Sequence, residues 1–343
     1  MLLSIIVPVY NCEKYLEECL ESFYTQDLCQ LEYEVICIND GSTDGSSEIL
    51  ETFALKYSNL KVIYKDNGGV ASARNEGLLH AIGEYIWFID SDDFIGKNTL
   101  GAIQSAIITN KYDRIMIQSY SFVSHLSDYD RELFDLGLLK SNYPHKDTQI
   151  TRTIIRRKYI EDNDIKFYTQ LKYGEDALFY FETGLRRTRD YSLKQLVYFY
   201  RNHKDASTSF NSITKLNNYF HSCCIAINIV NGYYKNTRFR NKSRKALLYW
   251  FNIIIWLYSD YEELRKVNCL DELSVDVDIL DNKLTRKYKL IEKTVVSKDF
   301  SILEEEYKHY IKKKQKRRDI NKSIRLLIGY IKHPKRIIKA IKR

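Results

Sequence analysis

The apolar residues of the first 120 positions alternate between two patterns. Short continuous runs of aliphatic and aromatic residues, typical of buried parallel strands, are separated by longer amphipathic segments with helical spacing. The runs predict strands over residues 2–9, 33–39, 61–64, 85–89 and 113–120. The intervening segments predict helices over residues 13–23, 47–57, 70–81 and 97–109. Such strand–helix units, each about thirty residues long, indicate right-handed βαβ crossovers and a doubly wound α/β fold with a mostly parallel sheet.

The strand over residues 85–89 ends in four polar residues, Asp90, Ser91, Asp92 and Asp93. In a doubly wound sheet, the carboxyl ends of the strands open the ligand crevice. Neighbouring carboxylates repel one another unless a cation or a proton intervenes. Their hard oxygens suit Mn²⁺ or Mg²⁺, which in turn binds the phosphates of a nucleotide. Taken alone, the same four residues also fit a solvated acidic turn.

The pattern becomes less regular after residue 120. Residues 121–150 show no readable periodicity, and we expect this segment to be variable and to face the acceptor. From residue 211 to about residue 310 the spacing is helical, most clearly over residues 219–234, 245–258 and 303–310. The sequence therefore predicts a helical addition over residues 211–311.

A basic amphipathic tail follows. Residues 312–343 contain 14 Lys and Arg and one acid, Asp319; since the whole chain carries +8, the other 311 residues carry a net charge of −5. Ile324, Leu327 and Ile331 recur at helical spacing among the basic residues. This pattern is typical of a helix in an anionic membrane interface. A helix docked on the acidic body and a disordered, RNA-binding tail are the alternatives. We expect no nucleic-acid binding by the catalytic body.

Two further features indicate where the protein works. The seven cysteines show neither CxxC nor Cys/His zinc spacing, which is expected of reduced thiols. Residues 1–9 begin a strand without the features of a signal peptide, and the most apolar window, residues 247–258, is too short to span a bilayer. We therefore expect a cytoplasmic protein that associates peripherally with the inner face of the cell membrane.

Four segments together resemble the family 2 inverting glycosyltransferases of the GT-A fold. They are SIIVPVYN at 4–11, INDGSTDGS at 38–46, NGGVASARNEGL at 67–78 and DSDD at 90–93, in matching order and spacing. YGED at 173–176 resembles the acidic ED motif of that family, and YRNH at 200–203 with ST at 207–208 resembles its phosphate-side motif. The resemblance covers roughly residues 1–210 and implies that these residues form a nucleotide-sugar-binding and catalytic domain.

The resemblance also implies which residues contact the nucleotide-sugar donor. They are Pro8, Val9, Tyr10, Asp40, Asn67, Arg74, Asp90, Ser91 and Arg201. Within this set, Pro8, Val9 and Tyr10 line the base pocket, and Asp40 accepts a hydrogen bond from N3–H of the base. A carboxylate at a strand end suits an imide donor, and a tyrosine ring offers a stacking face. Arg74 lies on an alanine-rich helix and fits a solvated ion-pair partner equally well.

The resemblance makes Asp92 the metal ligand. It makes Asp90 a contact to the ribose or to the metal shell, and Asp93 could share either role. Arg201 and His203 would add donors to the diphosphate. His203 is in addition a candidate metal ligand, with a surface imidazole as the alternative.

Direct displacement with inversion needs one base on the face opposite the leaving group, and we expect Asp176 to serve. Its neighbour Glu175 is the reason to expect a perturbed pKa, and Glu175 is the second candidate for the base. An acidic pair that opens a helix is otherwise explained by capping and by the helix dipole.

The expected activity is a metal-dependent inverting transfer of a sugar, from a UDP-sugar to a glycan or lipid-linked acceptor. Two rivals stay open, a nucleotidyltransferase on a similar sheet and a non-catalytic nucleotide-sugar binding module. The segment PVYNCEKY at 8–15 lacks the Gly- and Lys/Arg-rich triphosphate loop of a nucleotidyltransferase. The presence of both acidic motifs disfavours the binding module.

Overall fold

The structure is a computed structural model that describes the following residues: 1–123, 150–202, 213–236, 238–260, 280–297, Ser301, Glu305, Lys308, His309 and Lys312. The chain divides into two compact units, Met1–Ser222 and Cys223–Arg343. The segment expected to face the acceptor (its residues 124–149), most of the predicted helix over 303–310, the tail beyond Lys312 and His203 lie outside the described residues. The division into residues 1–210, 211–311 and 312–343 therefore stays a prediction.

One sheet of eight strands forms the centre of the described part of the first unit. Its strands are β1 (Leu3–Val9), β2 (Tyr33–Asn39), β3 (Leu60–Tyr64), β4 (Tyr85–Phe88), β5 (Phe94–Ile95), β6 (Arg114–Val123), β7 (Thr153–Arg156) and β8 (Asp190–Asn202). Their order across the sheet is β3-β2-β1-β4-β7-β6-β8-β5. All five predicted strands are present, as β1, β2, β3, β4 and β6.

The sheet is mixed, because its two halves are built differently. β1 pairs in parallel with β2 and with β4, and β2 pairs in parallel with β3. Beyond β4, the pairs β4–β7, β6–β7 and β5–β8 are antiparallel, while β6–β8 is parallel. The α/β prediction is confirmed, but the mostly parallel pattern holds only for the half that the strand–helix repeats build. β5 and β7 have two and four residues, too few to show a periodic pattern in the sequence.

Helices cover the sheet and make up the described part of the second unit. They are α1 (Glu13–Tyr24), α2 (Ser46–Lys56), α3 (Val70–His80), α4 (Thr99–Thr109), α5 (Arg157–Asp162), α6 (Glu175–Thr183), α7 (Ile213–Lys235), α8 (Arg240–Asp260) and α9 (Asn282–Ser297). The four helices predicted between strands are α1 to α4, and each begins and ends within two residues of its predicted bounds. The helices predicted over residues 219–234 and 245–258 lie within α7 and α8.

Alternate residues of the central strands face two separate cores, as a sheet with helices on both faces requires. Ile5 of β1 lies in one apolar cluster together with Leu16 of α1, and Ile6 lies in the other together with Ala73 of α3 and Phe179 of α6. The sheet is therefore buried on both faces, and its strand ends are the part left open to a ligand.

In the second unit, α8 and α9 pack together through aromatic side chains such as Phe251 and Tyr288, whose ring centroids are 6.4 Å apart. Asp281 caps α9, because its Oδ1 accepts the Lys283 amide at 2.9 Å, and its carboxylate also pairs with Arg244 of α8. None of the helices in the described part of the chain combines the length and the apolar composition that a bilayer span requires.

Gly77 marks a close approach of α3 to β1. A Cβ at this position would lie 2.3 Å from Cγ2 of Ile6, which is fully buried. We predict that Gly77→Ala destabilises the protein by about 1–3 kcal/mol, because an overpacked core must shift. The gain in helix propensity, at most about 1 kcal/mol, is too small to offset this cost. The measurement is the midpoint of thermal unfolding.

Gly232 on α7 is the matched control, because a Cβ added there meets no described atom within 4 Å. Gly232→Ala should leave the midpoint unchanged or raise it. A Gly77→Ala protein that melts no lower than the wild type would contradict the close packing of α3 on β1.

Candidate active site

The site is built where β1, β2 and β4 end side by side. Asn11 and Glu13 follow β1, and both are hydrogen-bonded to the turn after β2. The Thr43 amide donates to Asn11 Oδ1 at 2.8 Å, and the Gly45 amide donates to Glu13 Oε2 at 2.7 Å. The Glu13 amide donates in return to Asp44 Oδ2 at 3.0 Å. The two loops therefore form one hydrogen-bonded rim at the carboxyl edge of the sheet.

Asn11 lies two residues before α1 but does not cap that helix. Cys12 is the N-cap residue and makes no side-chain capping bond. The side chain of Asn11 accepts from Thr43 instead, and its backbone takes the left-handed conformation, with φ of 48°. Asparagine adopts that conformation more readily than most residues, so Asn11 serves the turn and not the helix.

The residues expected to form the base pocket differ in exposure. Pro8 and Val9 are buried within β1, whereas Tyr10 directly after the strand is 52% exposed. An exposed tyrosine ring beside a strand end offers a flat face for stacking. Asn67, expected to contact the nucleotide, is also exposed. Base recognition by Pro8, Val9 and Tyr10 and the nucleotide contact of Asn67 stay predictions.

Asp40 lies beside them and is only 3% exposed. Its carboxylate accepts from Lys65 Nζ at 2.6 Å, from the Gly68 amide at 3.0 Å and from the Gly69 amide at 2.7 Å. Gly69 has φ of 83°, which few other residues adopt without strain. Since a carboxylate has about four acceptor positions, Asp40 holds this loop and retains capacity for one further donor.

The three aspartates after β4 form an acidic cluster. Asp90, Asp92 and Asp93 each offer one carboxylate oxygen, and these oxygens lie within 4.8 Å of one another. Asp93 is the buried member, at 1% exposed. It accepts from the Tyr198 hydroxyl and, at 2.7 Å, from the Arg201 amide. Burial and the charges of Asp92 and Asp90 raise the pKa of Asp93 well above its ordinary value.

The cluster fits a hard divalent cation. Asp90 and Asp92 are partly exposed, and their anionic oxygens match the preference of Mn²⁺ and Mg²⁺. Asp93 is less suited to ligation, because both of its oxygens already bind β8. Ser91 is 9% exposed, so its side chain contacts the protein. Metal ligation by Asp90 and Asp92 stays a prediction, as does the role of Ser91 toward the donor.

Arg201 supports this loop from the end of β8. It is 2% exposed, and its Nε donates to the Asp92 carbonyl at 2.7 Å while Nη2 donates to Glu18 Oε2 at 2.5 Å. The guanidinium also lies over the rings of Tyr15 and Phe122, at 4.7 Å and 4.9 Å from their centroids. Arg201 thus stabilises the acidic loop through its hydrogen bonds to Asp92 and Asp93. A contact between Arg201 and a phosphate stays a prediction.

Arg74 joins the acidic cluster to the ED motif. Its Nη2 donates to Asp90 Oδ1 at 2.8 Å, and its Nη1 donates to Glu175 Oε1 at 2.9 Å. The side chain is buried, and its guanidinium lies 5.3 Å from the centroid of the Phe167 ring. The structure thus shows Arg74 in an ion pair that is buried and not solvated, and a contact of Arg74 to the nucleotide stays a prediction.

Asp176 remains as the candidate base. Gly174, with φ of 75°, is the N-cap residue of α6, so Asp176 is not the N-cap. Asp176 is half-buried, and its Oδ1 accepts the Ala177 amide at 2.7 Å. Burial and the charge of Glu175 raise the pKa of Asp176 to about 7, against the opposing effect of Arg74. A carboxyl group with this pKa is suited to accept a proton near neutral pH.

Sequence reasoning missed three side chains of this site: Lys65, which binds Asp40; Tyr198, which binds Asp93; and Glu18, which binds Arg201. Lys65 directly follows β3, and the strand-end rule that singled out Asp40 applies to it equally. Tyr198 and Glu18 lie within elements, and no motif distinguishes them from other packed residues.

Comparison with known proteins identifies proteins that are similar to this chain. The family model "Glycosyl transferase family 2" matches residues 4–169. Poly(ribitol-phosphate) beta-N-acetylglucosaminyltransferase TarS of Staphylococcus aureus is 36% identical over 207 residues, which cover 58% of this chain and 35% of TarS. Poly(ribitol-phosphate) beta-glucosyltransferase of Bacillus spizizenii is 33% identical over 214 residues, which cover 57% of this chain and 32% of that protein. The chain thus spans about a third of the length of these curated relatives.

The fold has a counterpart among solved structures. The crystal structure of S. aureus TarS residues 1–349 in complex with UDP-GlcNAc superposes with a TM-score of 0.64 and 25% identity, over 90% of this chain and 92% of that one. The family model covers the segments from β1 through the acidic cluster, and the structural match extends over most of the chain. Residues 4–169 therefore form a glycosyl transferase family 2 domain, and the protein has the GT-A fold.

Proposed function

We propose that this protein is a metal-dependent inverting glycosyltransferase that moves a hexose or an N-acetylhexosamine from a UDP-sugar to a glycan acceptor. The observation that carries the proposal is the ion-pair bridge through Arg74. It brings the acidic cluster at Asp90 and the ED motif at Glu175 and Asp176 to one place. The carboxylates suited to a cation on the diphosphate and the carboxyl group suited to act as a general base are thereby held close together by Arg74.

On the donor side, Tyr10 supplies a stacking face and Asp40 an acceptor for the imide N–H of uracil. Asp92 and Asp90 would hold the divalent cation, which when bound neutralises charge on the leaving diphosphate. UDP as the nucleotide is supported by the TarS complex with UDP-GlcNAc. The names of the two curated relatives support a GlcNAc or glucose residue as the transferred sugar.

On the acceptor side, Asp176 takes the proton of the attacking hydroxyl. The new bond forms between that oxygen and C1 of the sugar, while the bond from C1 to the diphosphate oxygen breaks on the opposite face. The leaving UDP carries away the electron pair, and the configuration at C1 inverts. Since its pKa is about 7, Asp176 is substantially ionised at neutral pH.

We further propose that the acceptor is a growing polymer or a lipid-linked glycan at the cytoplasmic face of the membrane. Both curated relatives are named for poly(ribitol phosphate), an anionic polymer. The basic tail over residues 312–343 supplies charge for an anionic membrane surface. Membership of family 2 favours sugar transfer over nucleotidyl transfer. Turnover of a UDP-sugar distinguishes an enzyme from a binding module.

Asp92→Asn tests the metal site. In a thermal-shift panel of UDP, GDP and ADP with and without Mn²⁺, the wild type should be stabilised most by UDP with Mn²⁺, because a ligand that binds the folded state raises its stability. The variant should lose the Mn²⁺-dependent part of this shift, since an amide is a poor replacement for an anionic ligand. Its turnover should fall by about two orders of magnitude or more.

Asp162→Asn is the matched control, because that carboxylate is 56% exposed on α5 and pairs with Lys158. It should behave like the wild type in the same panel. If Asp92→Asn keeps the full Mn²⁺-dependent shift, the ligand assignment is wrong.

Asp176→Asn tests the base. Transfer, or hydrolysis of UDP-GlcNAc, should fall by about two to four orders of magnitude, the usual worth of a general base. UDP and Mn²⁺ should bind as in the wild type. In the wild type, kcat should rise with pH up to about pH 7 and then level off, because the raised pKa of Asp176 leaves it protonated in acid. This rise should be absent from the residual activity of the variant.

Asparagine is nearly isosteric with aspartate and keeps an Oδ1 that can accept the Ala177 amide, so a purely structural Asp176 would tolerate the substitution. Near-wild-type turnover in Asp176→Asn would therefore assign the base elsewhere.

Deleting residues 312–343 tests the membrane role of the tail. The shortened chain should still bind UDP with Mn²⁺, because the described nucleotide-site residues all precede residue 203. It should no longer sediment with phosphatidylglycerol vesicles, since each basic residue near an anionic surface contributes about 1 kcal/mol. High salt should weaken the binding of the full-length chain to these vesicles. Equal sedimentation of the two chains would refute the membrane role, and loss of folding would show that the tail belongs to the core.

A further inference from the structure

Arg74 occupies an unusual position among the buried charges of this protein. Arg74 is 4% exposed, and its guanidinium binds two carboxylates on separate elements, Asp90 after β4 and Glu175 at the start of α6. These partners lie 16 and 101 positions away in the sequence. A cation buried to this degree is stable only when it is paired. The pairing therefore fixes how far the start of α6 lies from the acidic cluster.

The helix that carries Arg74 is itself held firmly. Ala73 is fully buried, and Gly77 packs directly against Ile6 of the sheet. Asn75, next to Arg74, donates to the Phe167 carbonyl at 2.8 Å and accepts the Phe167 amide at 2.9 Å. Two consecutive residues of α3 thus fasten the segment that leads into α6. Arg74 is accordingly presented from a rigid element to a helix that carries the candidate base.

The shape of the guanidinium decides what it can do here. Nη1 and Nη2 each bind a different carboxylate, so one planar group sets the distance between Asp90 and Glu175. Its Nε has no hydrogen-bond partner among the described residues. A lysine ammonium is a single compact donor on a flexible stem, and it cannot impose the same spacing.

We propose that Arg74 is a positioning residue that holds α6, and with it Asp176, in register with the metal-binding loop, and that Glu175 is the anchor of this bridge and not a base. The proposal rests on the function proposed above. In this arrangement Asp90 faces the donor and Asp176 faces the acceptor. The bridge therefore sets the distance between the leaving group and the attacking hydroxyl, and in-line displacement is sensitive to that distance.

Arg114 provides an internal comparison. It is also buried, at 8% exposed, but its guanidinium binds one carboxylate, Asp190, together with Thr183 Oγ1 at 3.3 Å. Among the described residues, its hydrogen-bond and ion-pair partners lie on β8 and α6, and they include no residue of the acidic cluster or of the ED motif. Substitution of a buried arginine that only stabilises the fold, such as Arg114, should change the melting temperature alone. Substitution of one that positions the base should also change kcat.

Three charged groups from different elements act on Asp176: Glu175 on α6, Arg74 on α3 and Asp90 after β4. Glu175 and Asp90 raise the pKa of Asp176, and Arg74 lowers it. Removing the charge of Arg74 should therefore raise the pKa of Asp176, and removing the charge of Glu175 should lower it. A change that merely loosened the fold would not produce shifts of opposite sign.

The test compares full-length Arg74→Lys, Arg74→Met, Glu175→Gln and the double variant Arg74→Lys/Glu175→Gln with Arg114→Lys. Hydrolysis of UDP-GlcNAc with Mn²⁺ gives kcat and KM, calorimetry gives the Kd of UDP with Mn²⁺, and ¹³C NMR follows the titration of the Asp176 carboxyl. Arg74→Lys and Glu175→Gln should each lower kcat by about 10- to 100-fold, with KM and Kd nearly unchanged. The double variant should be little worse than either single one, because both break the same bridge.

The NMR titration should show the pKa of Asp176 raised in Arg74→Met and lowered in Glu175→Gln. Arg114→Lys should lower the melting temperature and leave both kcat and the titration unchanged. If Arg74→Met does not fold, three results still decide the matter: the loss of kcat in Arg74→Lys and in Glu175→Gln, the absence of an additive loss in the double variant, and the lowered pKa of Asp176 in Glu175→Gln.

Several results would overturn the proposal. A large loss of UDP affinity with unchanged kcat in Arg74→Lys would make Arg74 a nucleotide contact. A loss of kcat in Glu175→Gln equal to that in Asp176→Asn, with loss of the pH dependence, would make Glu175 the base. Additive losses in the double variant, or equal effects of Arg114→Lys, would also overturn it. If the wild type binds UDP but hydrolyses no UDP-sugar, the proposed function fails, and the NMR titration still decides whether the bridge positions Asp176.

Discussion

The repulsion among carboxylates at the end of β4 is the constraint on which the rest of the site depends. Asp90, Asp92 and Asp93 place three carboxylate oxygens within 4.8 Å of one another. Charges at such distances in a partly buried place are costly unless the protein compensates them. Two buried arginines do so from different elements. Arg74 on α3 pairs with Asp90. Arg201 at the end of β8 donates its Nε to the Asp92 carbonyl and its backbone amide to Oδ1 of Asp93.

This compensation divides the acidic residues into two groups. Asp93 and Glu175 are each bound by protein donors and are almost fully buried. Asp92 and Asp176 remain partly exposed, and Asp90 belongs to both groups because it pairs with Arg74 while 32% of its side chain is exposed. The buried members hold the loop and the helix in place. The exposed members are therefore the ones to which the proposed function assigns the cation and the acceptor hydroxyl.

The same principle organises the other side of the crevice. Asp40 is buried, and its negative charge is met by Lys65 and by two backbone amides of the loop after β3. Parallel pairing of β1 with β2 and of β2 with β3 brings these strand ends together. The parallel half of the sheet therefore assembles the part of the site that contains Asp40. The antiparallel half stabilises the acidic loop through β8, whose residues Tyr198 and Arg201 bind Asp93.

The sequence by itself determined the first four strands and helices, because their periodicity is local and each core-facing residue recurs at the spacing of its own element. It also located the polar strand ends, since a parallel sheet collects them at one edge. The tertiary structure alone decided the strand order beyond β4 and the partners of Arg74, Arg201 and Asp93. Those partners are up to 183 positions apart in the sequence, so no local pattern encodes them. The raised pKa of Asp176 has the same origin, because burial and charges on three separate elements set it.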